Sequence, residues 1–167
     1  STIYECIRKQ GGDRLAVKVV DRVGDPAKSA TGKSAAETVL HELAVLKSLK
    51  HKYIIDIIDF FDEDDRFYLV MERMEGGDVF DRIMDMRQYT EKDARDLSRF
   101  LIEAVACMHQ SGITHRDLKP QNLLLKSKED NSDIKIADFG FACKVHTPQS
   151  LTTRCGMSFR FLLVLHL

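Results

Sequence analysis

The sequence lacks net charge, long apolar stretches and closely spaced cysteines. Its 25 Lys and Arg residues balance 26 Asp and Glu, leaving a formal charge of −1. No global field therefore directs the chain to nucleic acid or to an anionic membrane. The longest apolar run, Phe161 to Leu165, is too short to span a bilayer. Ser1 to Lys9 mixes charge and polarity and does not read as a signal peptide. Cys6, Cys107, Cys143 and Cys155 lie far apart, with no C-x-x-C pair. That excludes the usual zinc spacings and points to reduced thiols, so the expected compartment is the cytoplasm, or the nucleus. Apolar residues at 44% and charged ones at 31% describe a soluble globular balance. At 167 residues the chain is one ordinary domain or a piece of a larger one.

Periodicity predicts an order of elements. Ile3 to Arg8 and Leu15 to Val20 read as strands joined by a Gly11-Gly12 turn. Residues 24–33 read as a loop. Ser34 and Glu37 form a capping box that opens a helix to about Lys50. Ile54 to Phe61 and Phe67 to Glu72 read as strands around the acidic turn Asp62 to Asp65. Gly76-Gly77 breaks the chain, and a short helix follows from Asp78 to Met86. Thr90 and Asp93 cap a long helix with its stripe at Ala94, Leu97, Leu101, Ala104, Val105 and Met108. Asn122 to Leu125 and Ile134 to Ala137 read as short strands around the loop Lys126 to Asp133. The fold class is α+β, with a division into two parts near Gly76-Gly77.

Between the long helix and a short strand stands H-R-D-L-K-P-Q-N, residues 115–122. A loop held by two elements can aim several side chains at one point. Asp117 could take a proton from a hydroxyl, Lys119 could steady a phosphate, and Pro120 stiffens the loop. Asn122 offers a neutral oxygen to a hard cation, and Asp138 in Asp138-Phe139-Gly140 offers a carboxylate. Upstream, Lys18 is read at the end of a strand among apolar neighbours, where an ammonium needs an anion. Glu42 shares a helix stripe with Val39, Leu46 and Leu49, whereas Glu37 shares its face with His41 and Ser48. Glu42 is therefore the carboxylate expected to meet Lys18. Taken singly, a strand-end Lys is ordinarily a solvated charge, a helical Glu ordinarily lies at the surface, and D-F-G occurs by chance. Together, in this order and on these elements, they are not explained by structure alone.

These motifs resemble those of the protein kinase family. The resemblance covers about residues 1–156, with an N-lobe at about 1–73 and the start of a C-lobe at about 74–156. "GGDVFDRI" at 76–83 and "HRDLKPQNLLL" at 115–125 are similar to the calcium/calmodulin-dependent group. Lys119 after Asp117 resembles Ser/Thr rather than Tyr kinases. The implied fold is a partial bilobal one. The implied activity is phosphoryl transfer from MgATP to a protein Ser or Thr hydroxyl, with ATP and Mg²⁺ as cofactors. Lys18 would hold the α- and β-phosphates and pair with Glu42. Asp117 would be the base, with Lys119 beside it, and Asn122 and Asp138 the Mg²⁺ ligands. Met71 would be the gatekeeper. Glu72 and Met74 would present backbone groups to adenine, with Ala16 and Leu124 lining the ring and Asp78 at the ribose. Arg116 resembles kinases switched on by activation-loop phosphorylation, with Thr153 as the expected site.

Departures set further expectations. The chain opens at Ser1-Thr-Ile-Tyr4, just past where the family's G-x-G-x-x-G loop would stand. After Cys155-Gly156 the family pattern stops; Met157 replaces a threonine, and 157–167 reads as an aberrant apolar tail. The chain is thus expected to be a fragment with little or no activity of its own. The alternatives are a truncated isoform that binds nucleotide or partners without catalysis, and a product that does not fold stably. Protein substrates are the expected partners. No nucleic acid or membrane is expected, and calmodulin only for a longer parent chain. Asp62 to Asp65 lacks the glycine and closing glutamate of a calcium loop. Residues 27–34 mimic a phosphate-binding G-x-x-x-x-G-K-S, but Ala27 replaces its first glycine and no strand precedes it.

Overall fold

A computed structural model describes residues 1–22, 34–85, 90–130 and 133–145. Thr153, the tail 157–167, Met86 and nearly all of the 27–34 segment lie outside them. The chain divides into two compact units. One holds the described residues of 1–50 together with Ile55–Arg73; the other holds His51–Ile54 and the described residues from Met74 onward.

The first unit is a four-stranded antiparallel sheet with one helix. Strands β1 (Thr2–Ile7), β2 (Arg14–Asp21), β3 (Ile57–Asp62) and β4 (Arg66–Glu72) lie in the order β1-β2-β4-β3. Gly11 and Gly12, at φ 99° and 75°, make the β1–β2 turn, a backbone that side-chain-bearing residues resist. Helix α1 (Ala35–Ser48) starts at Ser34, whose hydroxyl accepts from the Glu37 N–H while the Glu37 carboxylate accepts from the Ser34 N–H. Its buried face is Val39, Glu42, Leu43, Val45 and Leu46, and it packs on β2, β3 and β4. Phe67 and Leu69 of β4 are almost fully enclosed, each such burial contributing about 1.5–3 kcal/mol.

Two expectations shift here. β3 begins at Ile57, not Ile54, and its pairing with β4 slips between Ile57 and Asp59. Ile54 instead bridges Ile136 of the second unit, drawn off by its own burial there. Lys18 is not at a strand end; the β2–β4 pairing runs from Leu15↔Glu72 to Asp21↔Arg66 and leaves it mid-strand.

The second unit is built on α3 (Glu91–Gln110), capped by Thr90 and Asp93. Its buried line is Leu97, Phe100, Ala104 and Met108. Ala94, Leu101 and Val105, expected on that line, are half-buried flanks, because at 3.6 residues per turn the buried line centres on 97, 104 and 108 and takes in Phe100 on its other side. Phe100 meets Tyr53 at 4.6 Å between ring centroids. α2 (Val79–Asp85) precedes α3. After it come β5 (Ile113–Thr114), a 3₁₀ turn at Pro120–Asn122, β6 (Leu123–Leu125), β7 (Ile134–Ile136) and β8 (Cys143–Lys144). β6 pairs with β7 and β5 with β8. The β5–β8 pair was not expected; two residues a side carry no readable alternation. Among the described residues no helix is long and apolar enough to cross a membrane.

Candidate active site

In the first unit, alternation along β2 puts Ala16 and Lys18 on one face, beside their β4 partners Met71 and Leu69. Lys18 Nζ lies 2.7 Å from Glu42 Oε2 and 3.0 Å from Oε1. The side chains are 15% and 4% exposed. The expected pair therefore forms, largely shielded from water, and Glu37 caps the helix. A largely shielded ammonium held against a carboxylate has its position fixed by the helix rather than by solvent. Met71 is buried at the centre of β4. Glu72 accepts from the Asp56 N–H at 2.8 Å, and its own N–H donates to the Asp56 carbonyl. Its side chain thus fixes the strand end.

In the second unit the octet closes on itself. Asp117 Oδ2 accepts from Lys119 Nζ at 2.8 Å and from Asn122 Nδ2 at 3.1 Å. Asn122 Nδ2 also donates to the Asp117 carbonyl at 2.7 Å. Both of these donors fall on Oδ2 rather than Oδ1. The amide nitrogen of Asn122 is committed, which leaves its Oδ1 as the ligand-capable atom. The Ala137 N–H donates to the Asn122 carbonyl at 2.9 Å, tying the loop to the segment that carries Asp138. Asp138 is exposed at φ 60°, and Arg116 sits at φ 67° with its Nε donating to the Phe141 carbonyl. Two non-glycine residues in the left-handed region are strain of the kind that collects at functional sites. Leu124 bridges Asp78, and Met74 lies four residues upstream of it.

His115 was given no role in the sequence reading, yet it organises this loop. It is 1% exposed. Its Nδ1 accepts from the Asp117 N–H at 3.2 Å, so Nε2 carries the proton and donates to the Ala137 carbonyl at 3.1 Å. Its ring meets Phe139 edge-on at 4.6 Å. Burial pushes its pKa below the ordinary value of 6.5, against smaller opposing effects from the Ala137 carbonyl and the neighbouring aspartates. The signal was present in the octet's first letter, but nothing in spacing says that an imidazole is enclosed.

Asn122 and Asp138 are hard oxygen donors and fit Mg²⁺, which takes one or two protein ligands and completes its shell with water and phosphate. Among the described residues no group of three or more His, Cys, Asp or Glu side chains could hold a metal by itself. A site of the Mg²⁺ kind does not need one.

The family model "Protein kinase domain" matches residues 1–160. A probable myosin light chain kinase of Dictyostelium discoideum is 38% identical over 93% of this chain and 38% of its own length. Myosin light chain kinase A of the same organism is 39% identical, over 93% and 51%. Calcium/calmodulin-dependent protein kinase type 1 of Caenorhabditis elegans is 41% identical, over 89% and 40%. The chain thus spans about two fifths to half of these relatives. With an α+β architecture, the buried Lys–Glu pair and the HRD and DFG segments in place, the chain belongs to the protein kinase family.

Proposed function

We propose that these residues serve phosphoryl transfer from MgATP to a protein serine or threonine hydroxyl. The arrangement of Asp117 is the observation that supports this most. Its Oδ2 is held by a lysine and an amide while, among the described residues, Oδ1 faces no such donor. A weak base suffices, because phosphoryl transfer depends on positioning and charge neutralisation more than on proton abstraction. In this reading Asp117 orients the hydroxyl and accepts its proton, and Lys119 neutralises charge beside it. Lys18, fixed by Glu42, meets the phosphates. Ala16, Met71, Glu72, Met74, Asp78 and Leu124 receive the nucleoside. Asn122 and Asp138 hold Mg²⁺, which supplies neutralisation of phosphate charge when bound. Protein substrates are proposed for the longer parent protein, and calmodulin control, carried in the name of one relative, only for such a parent.

Thermal unfolding of the 167-residue chain with and without Mg-ATP tests the nucleotide site. A Lys18→Ala, Asp138→Ala double variant is the reference. Ligand at about 100 times its dissociation constant adds about 2.7 kcal/mol to the parent alone. Equal transitions with and without nucleotide in the parent would reject it. A parent that binds Mg-ATP but transfers no phosphate to a generic Ser/Thr peptide would instead favour a non-catalytic nucleotide-binding role.

A further inference from the structure

We propose that Arg82 is a positioning residue that holds the nucleotide-facing segment of the second unit, an inference that rests on the function proposed above. The segment 75–78 forms no regular strand, yet its backbone is stitched along β6. The Glu75 N–H donates to the Lys126 carbonyl at 3.0 Å, Gly76 N–H to Leu125 at 2.9 Å, and Leu125 N–H to Gly77 at 2.8 Å. Asp78 then bridges Leu124. This pairing sets the two residues assigned to ribose and adenine opposite each other. It is short and ends in loops, so something must hold its outer end.

Arg82 stands one helical turn past Asp78, its N–H donating to the Asp78 carbonyl at 3.2 Å. Nη1 donates to the Lys128 carbonyl at 2.7 Å, and Nη2 reaches the carbonyls of Gly76 and Ser127, both at 3.5 Å. One planar fork therefore gathers carbonyls from both sides of the pairing. The close approach is built in at Gly76, where a Cβ would stand 2.3 Å from the Ser127 oxygen and 2.5 Å from Leu125 Cβ. Each of the two 3.5 Å contacts is weak alone, but a guanidinium anchored at 2.7 Å and shared among three dipoles stays in one place. Lysine offers a point charge without the fork. The Asp78 carboxylate, which accepts from the Asp81 N–H at 2.9 Å, lies in the turn this fork fixes.

The test compares the full chain with Arg82→Lys and Arg82→Ala, using Arg95→Ala in an exposed helix pair as the control. Amide hydrogen exchange and Mg-ATP affinity are measured on each. Exchange at Gly76 and Leu125 is expected to accelerate about tenfold in both Arg82 variants, with α3 amides unchanged. The Mg-ATP dissociation constant is expected to rise about threefold or more. Unchanged protection, a loss spread equally into α3, or a local loss with parental affinity would each overturn the positioning role. A parent that binds no Mg-ATP rejects the nucleotide site and this role with it. A binding parent with unaltered variants rejects Arg82 alone.

Discussion

Lys18→Met is the sharpest perturbation of the first unit. It removes the ammonium and leaves the Glu42 carboxylate at 3% exposure with its lysine gone. Water cannot reach a group so enclosed, so solvent screening does not discount the loss. Breaking a buried pair from one side costs about 3–5 kcal/mol. For a domain whose whole stability is about 5–15 kcal/mol, that is a large fraction. In urea, followed by far-UV circular dichroism, the midpoint is expected to fall by about 2 M or more. The double variant Lys18→Met, Glu42→Leu is expected to regain most of the loss, since apolar residues need no partner there. A single-variant cost under about 1 kcal/mol, or a double variant no better than the single, would refute the claim that this pair is a desolvated unit.

His115 predicts a pH trend in the second unit. Its folded pKa is depressed, so the stability it contributes is present in full above about pH 6.5 and is lost as pH falls toward the folded value. His115→Phe keeps a ring on Phe139 but drops both hydrogen bonds; it is expected to cost about 1–3 kcal/mol at pH 7.5 and to flatten the slope between pH 5 and 7. Parallel pH profiles for parent and variant would contradict this. Gly76→Ala is expected to cost about 2–3 kcal/mol, because its Cβ meets the Ser127 and Leu125 backbone oxygens, which cannot rotate aside. Gly77→Ala meets open space and costs only its left-handed backbone, about 1 kcal/mol. Urea midpoints in the reverse order would show that the tight approach at Gly76 is not a constraint.

The two helix caps and the Lys18–Glu42 pair were legible because each depends on residues at fixed helical or strand spacing. Ser34 with Glu37, and Thr90 with Asp93, close within one turn. Glu42 was separable from Glu37 because five residues turn a helix by far more than one face. What was not legible depends on partners distant in sequence. Ile54 reads as the start of β3 by its apolar neighbours, but Ile136, 82 residues on, captures it. The predicted stripe omits Phe100, which is buried with Tyr53 resting on it. The β5–β8 pair joins two dipeptides about thirty residues apart.

His115 joins the two kinds of information. Spacing marks the octet as chemistry, and only tertiary structure shows what holds it in register. The imidazole takes the Asp117 N–H on one nitrogen and gives its proton to the Ala137 carbonyl with the other. Asp117 and Asp138 each lie next to one end of that bridge in sequence or by direct bond. The backbone placement of Asp117 and the entry to the segment that carries Asp138 are therefore set by one neutral side chain. That is why a buried histidine belongs to the account of this site. Protonation of His115 turns Nδ1 from acceptor to donor, so the bond to the Asp117 N–H is lost as the ring charges.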